Sequence, residues 1–385
     1  MANIKVTLLS TLENGKETLN NIKVLRKLNK DNITSTPVAR ASDRIHPKAI
    51  SLILNEIIDT NKDAKIFRFV AKDGYLPPFE AGQYINIFVN IDGILTSRPY
   101  SLSSSPSLRS YYEVTIARCK NGFVSSYFLD KAKVGDEFIC NGPNGVFRYQ
   151  PVFHSKKSLF LAGGSGITPF ISMLREILNE RLDRDIVMLY GVRNEESALY
   201  HEELSYLAAT YSNFKYHLVV SNDTSYKGLT GFIDRKLISN TVNDYSERTA
   251  YICGPQIMND FCKSELESLG LPIKQIRREM FGAKKNITEE DGWPKNITGD
   301  EVFKLTINNQ VYEAKSSDSL LTTLEKLGIR VNVCCRSGEC SLCRVKLVKG
   351  NVYLAKGALM RAADSKFGYI HSCKSYPISD LEIEL

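Results

Sequence analysis

The stretch "NVCCRSGECSLC", residues 332–343, carries four of the nine cysteines in the chain. Within it, Cys335, Cys340 and Cys343 form the spacing C-x4-C-x2-C, and Cys373 follows 30 positions later. Four thiolates at this spacing are typical of a plant-type [2Fe–2S] cluster. A zinc ribbon would need two C-x2-C pairs, and this region has one. The sequence therefore predicts a [2Fe–2S] cluster held by these four cysteines.

The remaining cysteine of the stretch, Cys334, adjoins Cys335 and would give a C-x5-C spacing in its place. Because that spacing departs from the pattern, we expect Cys334 not to bind iron. Between the first two ligands, Gly338 permits a turn that a Cβ would obstruct. Such a turn lets backbone N–H groups face the sulfur atoms.

The segments around the cysteines have the patterns of a small mixed domain. "VFKLTINNQVYEAKSS" predicts a hairpin of two alternating strands around Asn308 and Asn309. "SDSLLTTLEKLGI" predicts an amphipathic helix capped by Ser317 or Asp318. Together, the hairpin, helix, cysteine loop and C-terminal strands resemble the β-grasp fold of plant-type ferredoxins over residues 301–385.

The composition limits the class of protein. The chain has 385 residues, enough for two to four domains, and it is 43% hydrophobic and 24% charged, as in soluble globular proteins. Its start has no signal-peptide pattern, and no apolar run approaches the roughly 18 residues of a membrane span. We expect a cytoplasmic protein, in which a disulfide framework is not expected. The net charge is +7, but the basic residues are dispersed, so no nucleic-acid partner is predicted.

A cluster that accepts single electrons needs a source, and the upstream sequence offers one. A nicotinamide delivers a hydride, and a flavin can convert it into single electrons. In "SRPYSLSSSP", Arg98 can hold a flavin phosphate, Tyr100 can stack on the flavin ring, and the Ser101 hydroxyl can reach flavin N5. In "NGFVSSYFLD", Gly122 and Ser125 open a short helix whose N-terminus suits a pyrophosphate.

A second nucleotide site is predicted in "SLFLAGGSGITPFISML", where an apolar strand runs into a glycine-rich turn and a helix that begins near Pro169. A phosphate could sit on that helix end, although a plain strand-to-helix turn is the alternative. The alternating strands and helices that follow predict a doubly wound parallel sheet. The triplet Cys253, Gly254 and Pro255 ends one of its central strands, at the edge where ligands bind.

These motifs occur in a familiar order. R-P-Y-S, G-F-V-S, G-G-S-G-I-T-P, C-G-P and E-M-F follow one another as in the ferredoxin–NADP reductase superfamily. With the C-terminal ferredoxin-like segment, the chain resembles NAD(P)H-dependent flavin reductase components over residues 46–282 and 301–385.

The resemblance implies a multidomain α/β plus β architecture. The expected parts are an N-terminal extension of unknown role (1–45), an FAD-binding antiparallel β-barrel (46–152), a doubly wound NAD(P)-binding domain (153–282), a linker (283–300) and a β-grasp [2Fe–2S] domain (301–385). In the linker, we expect Trp293 to anchor the segment to a domain surface.

The resemblance also assigns site residues. Ser101, Cys253 and Glu279 are the expected catalytic residues, with Cys253 near nicotinamide C4. The flavin and the dinucleotide would be bound by residues of the five motifs, of one barrel strand and of the end of a nucleotide-domain strand. They are Arg98, Pro99, Tyr100, Ser101, Thr115, Ile116, Ala117, Gly122, Val124, Ser125, Gly163, Gly164, Ser165, Gly166, Thr168, Arg193, Cys253, Gly254, Pro255 and Phe281.

The implied cofactors are FAD, the [2Fe–2S] cluster and NADH, with NADPH possible. FAD is favoured because "GFVSSYFLD" resembles the FAD pattern. NADH is favoured because Ser221 is followed by Asn222 rather than by the arginine that often binds a 2′-phosphate; Arg193 could supply that contact instead. The predicted function is electron transfer to a protein acceptor, either an oxygenase, a hybrid cluster protein, or a corrinoid or radical enzyme. The alternative is a redox sensor that uses the state of the cluster.

Overall fold

The computed structural model describes residues 14–21, 23, 47, 49–120, 122–223, 225–280 and 286–385. The chain divides into two compact units, residues 1–48 and 49–385. In the first unit, residues 15–21 are helical, and most of the predicted extension lies outside the described residues. Among the helices of the described residues, none has the length and apolar character needed to cross a membrane.

The second unit begins with a six-stranded antiparallel sheet that curls into a barrel. Its strand order is β4-β3-β6-β1-β2-β5, and a bridge between Leu102 and Val114 joins the two ends. The short helix α1, Phe123–Asp130, covers the barrel, and its Phe128 packs against Phe67 and Phe138. The strands are β1 (Ile50–Asn61), β2 (Ala64–Ala71), β3 (Tyr84–Ile91), β4 (Ile94–Ser101), β5 (Tyr112–Ala117) and β6 (Glu137–Asn144).

A parallel sheet of order β10-β9-β8-β7-β11-β12 follows, with a hydrophobic core on each face. Its first strand, β7, lies in the middle of the sheet, which gives the doubly wound topology that the sequence predicts. The strands are β7 (Lys157–Gly163), β8 (Asp185–Val192), β9 (Phe214–Val220), β10 (Leu229–Thr230), β11 (Thr249–Cys253) and β12 (Ile276–Glu279). The helices are α2 (Thr168–Asn179), α3 (His201–Thr210), α4 (Arg235–Thr241) and α5 (Gln256–Ser268).

The C-terminal domain is a five-stranded mixed sheet of order β14-β13-β19-β15-β17 with an added two-stranded sheet, β16-β18. Buried leucines of α6 pack on the main sheet. The strands are β13 (Val302–Ile307), β14 (Gln310–Lys315), β15 (Arg344–Lys349), β16 (Val352–Leu354), β17 (Tyr369–His371), β18 (Ser375–Pro377) and β19 (Leu381–Glu384), and the helices are α6 (Leu320–Lys326) and α7 (Ala362–Lys366).

Two local predictions can be compared with this domain. The hairpin around Asn308 and Asn309 is confirmed, since β13 pairs with β14 and both asparagines adopt positive φ. The predicted caps of α6 were wrong. The cap is Ser319, whose hydroxyl accepts a hydrogen bond from the Thr322 N–H.

The segment that precedes the C-terminal domain packs against it. Trp293 is buried with Ile287 and Ile297, and its ring contacts those of Tyr353 and Tyr376. The expected anchoring role of this tryptophan is therefore confirmed. Over residues 286–300 the chain is part of the C-terminal domain's surface, which differs from the polar linker predicted for 283–300.

Candidate electron-transfer site

The carboxyl ends of β7 and β11 form the topological switch point of the parallel sheet. There the glycine-rich turn after β7 packs directly on the end of β11, because a Cβ on Gly166 would lie 2.3 Å from the Cys253 carbonyl oxygen. Gly164 adopts a φ of +52°, which favours glycine. The Thr168 hydroxyl donates to the Ser165 carbonyl, which closes the turn at the start of α2. Ligands of doubly wound sheets bind at such an edge.

The three predicted catalytic residues meet at this edge. Cys253 and Glu279 are register partners on the neighbouring strands β11 and β12, and both are buried. The Ser101 hydroxyl, at the end of barrel strand β4, donates to Glu279 Oε2 over 3.4 Å. Residues of the barrel and of the parallel sheet thus form one site.

Burial sets the protonation states at this site. It raises the pKa of Glu279 well above the ordinary value, the nearby Glu339 carboxyl adds to that shift, and the Ser101 hydroxyl opposes it. Burial also raises the pKa of the Cys253 thiol, to which Glu279 contributes. Burial therefore disfavours the charged form of both side chains.

The predicted flavin motif lies along β4 on the barrel. Arg98 is half-buried, and its Nη1 donates to the Thr96 hydroxyl over 2.9 Å and to the Ser97 carbonyl over 2.7 Å. Burial lowers the pKa of Arg98 to about 10, with Arg336 as the next cause. The Tyr100 ring meets Phe128 edge-on, with centroids 5.8 Å apart. The arginine and the aromatic ring thus stand on the strand that ends at Ser101.

The predicted pyrophosphate site lies at the N-terminus of α1. Gly122 is the N-cap, and its N–H donates to the Cys119 carbonyl over 2.8 Å. A Cβ on Gly122 would lie 2.3 Å from Ser125 Oγ, so this turn requires glycine. Ser125 Oγ accepts from the Cys119 N–H over 3.2 Å, and Val124 is buried beneath.

The other predicted residues are distributed around this region. Thr115 is buried, and its hydroxyl lies 2.5 Å from the Tyr200 hydroxyl of the parallel-sheet domain. Arg193 is exposed just beyond β8. Phe281 lies outside the described residues. Pro99 and Ile116 are buried, whereas Ala117 is half-buried.

The cysteine loop has the geometry expected for a cluster. Gly338 adopts a φ of +82°, which confirms the predicted turn, and Arg336 and Ser341 also have positive φ. The backbone N–H groups of Ser337 and Cys340 each donate to Cys335 Sγ over 3.4 Å. The Cys340 thiol and these amides hold the pKa of Cys335 below its ordinary value.

The four predicted ligands form two pairs. Cys335 packs in one cluster with Cys340, and Cys343 packs in another with Cys373. In the part of the chain that the structure describes, no three Cys, His, Asp or Glu side chains converge on one ion position. Two thiolate pairs are the arrangement that a two-iron cluster requires, with two protein ligands on each iron.

Polar atoms beside the cysteines are also compatible with a cluster. The hydroxyls of Ser337 and Ser341 are buried, and neither has a hydrogen-bond partner among the described residues. Each would be available to a sulfur of the cluster. The residues present therefore fit a [2Fe–2S] group, chemically and by their pairing.

The sequence did not predict how the cysteine loop contacts the barrel. Cys334 is buried, and its Sγ accepts from Asn144 Nδ2 over 3.2 Å and lies 3.8 Å from the Tyr84 hydroxyl. The neighbouring Val333 carbonyl accepts from two barrel asparagines, Asn86 and Asn141. Polar residues on alternating strand positions look solvent-facing in a sequence, so no local signal marks them.

Three family models match the chain in order. The oxidoreductase FAD-binding domain matches residues 51–149, the oxidoreductase NAD-binding domain matches 160–264, and the 2Fe-2S iron-sulfur cluster binding domain matches 304–377. Each match falls on one of the three domains described above. The protein is therefore a flavin- and nicotinamide-dependent reductase with an iron–sulfur domain.

Relatives agree with this class. The chain is 28% identical over 342 residues to the glycine betaine monooxygenase reductase subunit of Pseudomonas aeruginosa, covering 86% of this chain and 93% of that one. It is 34% identical over 230 residues to NADH-cytochrome b5 reductase 1 of Dictyostelium discoideum, covering 58% of this chain and 79% of that one. The solved structure of phthalate dioxygenase reductase superposes on this chain with a TM-score of 0.65 at 25% sequence identity. The superposition covers 88% of this chain and 98% of that one.

The chain belongs to the ferredoxin–NADP reductase superfamily, with a C-terminal [2Fe–2S] domain. It is an NAD(P)H-dependent oxidoreductase that passes electrons from the nicotinamide through FAD to the [2Fe–2S] cluster and on to a partner protein. The predicted class, fold and cofactors are thereby confirmed.

Proposed function

We propose that hydride transfer takes place where Ser101, Cys253 and Glu279 meet. The contact between Ser101 and Glu279 carries this proposal, because it joins the flavin strand of the barrel to the switch point of the nucleotide domain. Ser101 would face flavin N5, and Cys253 would face nicotinamide C4. Burial favours the neutral form of Glu279, which would hold a proton beside the flavin without adding a buried charge.

The flavin would lie along β4 and end at α1. Arg98 would bind a phosphate, Tyr100 would stack on the ring, and the N-terminus of α1 at Ser125 would bind the pyrophosphate. The glycine turn from Gly163 to Gly166 would cradle the dinucleotide phosphate. When bound, FAD accepts a hydride and releases the two electrons singly.

The cluster would be held by Cys335 and Cys340 on one iron and by Cys343 and Cys373 on the other. When bound there, the cluster would supply one-electron chemistry between the flavin and the acceptor protein.

NADH is the proposed donor. Asn222 follows the third nucleotide strand, where an arginine would favour a 2′-phosphate, and Arg193 is exposed beyond the neighbouring strand. A test compares the kcat/KM of flavin reduction with NADH and with NADPH. A preference for NADPH that Arg193→Gln abolishes would contradict the choice of NADH.

The proposed acceptor is an oxygenase component. The similarity to a glycine betaine monooxygenase reductase subunit extends over 86% of this chain, including the iron–sulfur domain that would face the acceptor. Reconstitution with an oxygenase component from the same organism should couple NADH oxidation to product formation. NADH oxidation without product, at the rate seen without that component, would contradict this acceptor.

The site is tested by anaerobic stopped-flow measurement of flavin reduction by NADH. Glu279→Gln should slow this step about 10²- to 10⁴-fold if the carboxyl acts as a positioned acid or base. Glu247→Gln, an exposed glutamate of the same domain, is the matched control. Equal rates in the two variants would remove Glu279 from the site.

A further inference from the structure

The C-terminal domain contacts one face of the barrel through neutral amides. Asn86 of β3 and Asn141 of β6 are register partners, and both amide nitrogens donate to the Val333 carbonyl, over 3.1 and 3.2 Å. Asn144, at the end of β6, donates to Cys334 Sγ over 3.2 Å. We call Asn86, Asn141 and Asn144 the asparagine triad. It holds the two residues that directly precede the predicted ligand Cys335.

A second contact lies on the same side of the barrel. The Thr96 hydroxyl of β4 donates to Glu325 Oε2 of α6 over 3.1 Å. Arg336 donates to Thr96 Oγ1 over 3.2 Å and forms an ion pair with Glu325. The residue after Cys335 is therefore also tied to the barrel, so the contacts flank this ligand on both sides.

The triad is not explained by packing alone. The side-chain oxygens of Asn86 and Asn141 are buried and have no hydrogen-bond partner among the described residues. Unpaired buried polar atoms destabilise, and an apolar pair would avoid that cost. Directional amide donors are instead suited to selecting one position of the loop, as buried polar groups do in other specific interfaces.

We propose that the asparagine triad is a positioning site for the electron step from flavin to cluster. It fixes Val333 and Cys334, and thereby Cys335, against the barrel that binds the flavin. Among the described residues, no hydrogen bond joins the triad to a proposed cluster ligand or to Ser101, Cys253 or Glu279, so the triad acts through the position of the loop. This inference rests on the proposed route from flavin to cluster.

The shared acceptor predicts a specific pattern in a double-mutant cycle. The Val333 carbonyl has two donors, and loss of one leaves it hydrogen-bonded. Loss of both leaves a buried carbonyl unpaired, which disfavours the docked position by roughly tenfold. Asn86→Ala and Asn141→Ala alone should therefore each slow cluster reduction less than about twofold, whereas together they should slow it by roughly tenfold.

The experiment uses the full-length protein with both cofactors, mixed anaerobically with NADH in a stopped-flow instrument. Flavin and cluster reduction are followed separately by their absorbance. The reduced cluster is characterised by electron paramagnetic resonance, to show that it is intact. Asn90→Ala is the matched control, because Asn90 is an exposed asparagine on the same strand, β3.

The expected result for the double variant is an unchanged rate of flavin reduction, an unchanged cluster spectrum and a slow cluster reduction. Cluster reduction at the wild-type rate would overturn the inference, as would additive effects of the two single changes. If the alanines prevent folding, Asn86→Leu with Asn141→Leu keeps a similar side-chain shape and removes the amide donors without adding charge, and the same result is expected.

The same measurement separates the inference from the proposed function. If NADH fails to reduce the flavin in the unmodified protein, the proposed route is wrong. If flavin reduction is normal and the Asn86 and Asn141 changes have only additive effects on the rate of cluster reduction, the proposed route is kept and the positioning role of the triad is wrong.

Discussion

The barrel contacts its two neighbouring domains through different kinds of side chain. On the nucleotide side, the buried carboxylate of Glu113 accepts from Arg175 over 2.6 Å and from Arg68 over 2.8 Å, and Arg175 also pairs with Glu203. On the iron–sulfur side, neutral asparagines donate to a carbonyl and to a thiol. The first interface is charged, and the second is largely neutral.

The difference has an energetic consequence. Separating the nucleotide domain would break the charge-assisted bond from Arg175 to Glu113, while Arg68 of the barrel would stay paired with Glu113. Charge-assisted hydrogen bonds are roughly twice as strong as neutral ones. Separating the iron–sulfur domain would break hydrogen bonds to neutral barrel side chains, each with a net contribution of about 1 kcal/mol. The ion pair between Arg336 and Glu325 would stay intact, because both residues lie in that domain. We infer that the hydride site between barrel and nucleotide domain is the more firmly fixed of the two.

The largest expected effect is loss of iron from the iron–sulfur domain while the hydride site keeps its activity. Cys340→Ala should reduce the iron content from about two atoms per chain to near zero, because one iron loses a ligand. Flavin reduction by NADH should persist, because Cys340 belongs to the other interface. Iron analysis and anaerobic titration with NADH measure both. Iron at the wild-type level would remove Cys340 from the ligand set.

A large effect is also expected on the nucleotide side. Glu113→Ala leaves Arg175 and Arg68 without their shared carboxylate and should lower the free energy of unfolding by about 3–5 kcal/mol. Denaturant unfolding followed by fluorescence measures the loss. Glu247→Ala, which removes an exposed ion pair, should cost less than about 1 kcal/mol. A similar loss of unfolding free energy in both variants would contradict the inference that the charged interface is the more firmly fixed.

The same carboxylate should make the nucleotide side sensitive to acid. Burial alone would raise the pKa of Glu113, but Arg175 and Arg68 outweigh it and hold the pKa below the ordinary value. The contribution of ionised Glu113 to the free energy of unfolding is therefore complete above the unfolded-state pKa of about 4.3. It is lost as the pH falls through the lower pKa of the folded state. The stability difference between wild type and Glu113→Gln should shrink over that range. A constant difference down to pH 3 would speak against a charged Glu113.

The smallest effect is expected at the cysteine that binds no iron. Cys334→Ser keeps an acceptor for Asn144 and should change the free energy of unfolding by less than about 1 kcal/mol, since a single neutral hydrogen bond is altered. Iron content should stay at the wild-type level. Loss of the cluster in this variant would show that Cys334, rather than Cys335, is a ligand.

Local patterns predicted much of the fold and of the cluster site. The turn at Gly338 and the hairpin at Asn308 and Asn309 follow from backbone preferences of single residues, and both are present. The cap of α6 was less predictable, because three consecutive residues, Ser317, Asp318 and Ser319, can each cap a helix. Packing of the leucines of α6 on the sheet selects among them.

The sequence by itself determined the cysteine spacing, the order of the motifs and the class of protein. These features depend on short distances along the chain, which covalent geometry limits. Only the tertiary structure decided which distant residues meet, as with Ser101 and Glu279, 178 positions apart, and Asn86 and Val333, 247 positions apart. Such meetings depend on how domains pack, because a polar residue on a strand has the same local pattern whether it faces water or another domain.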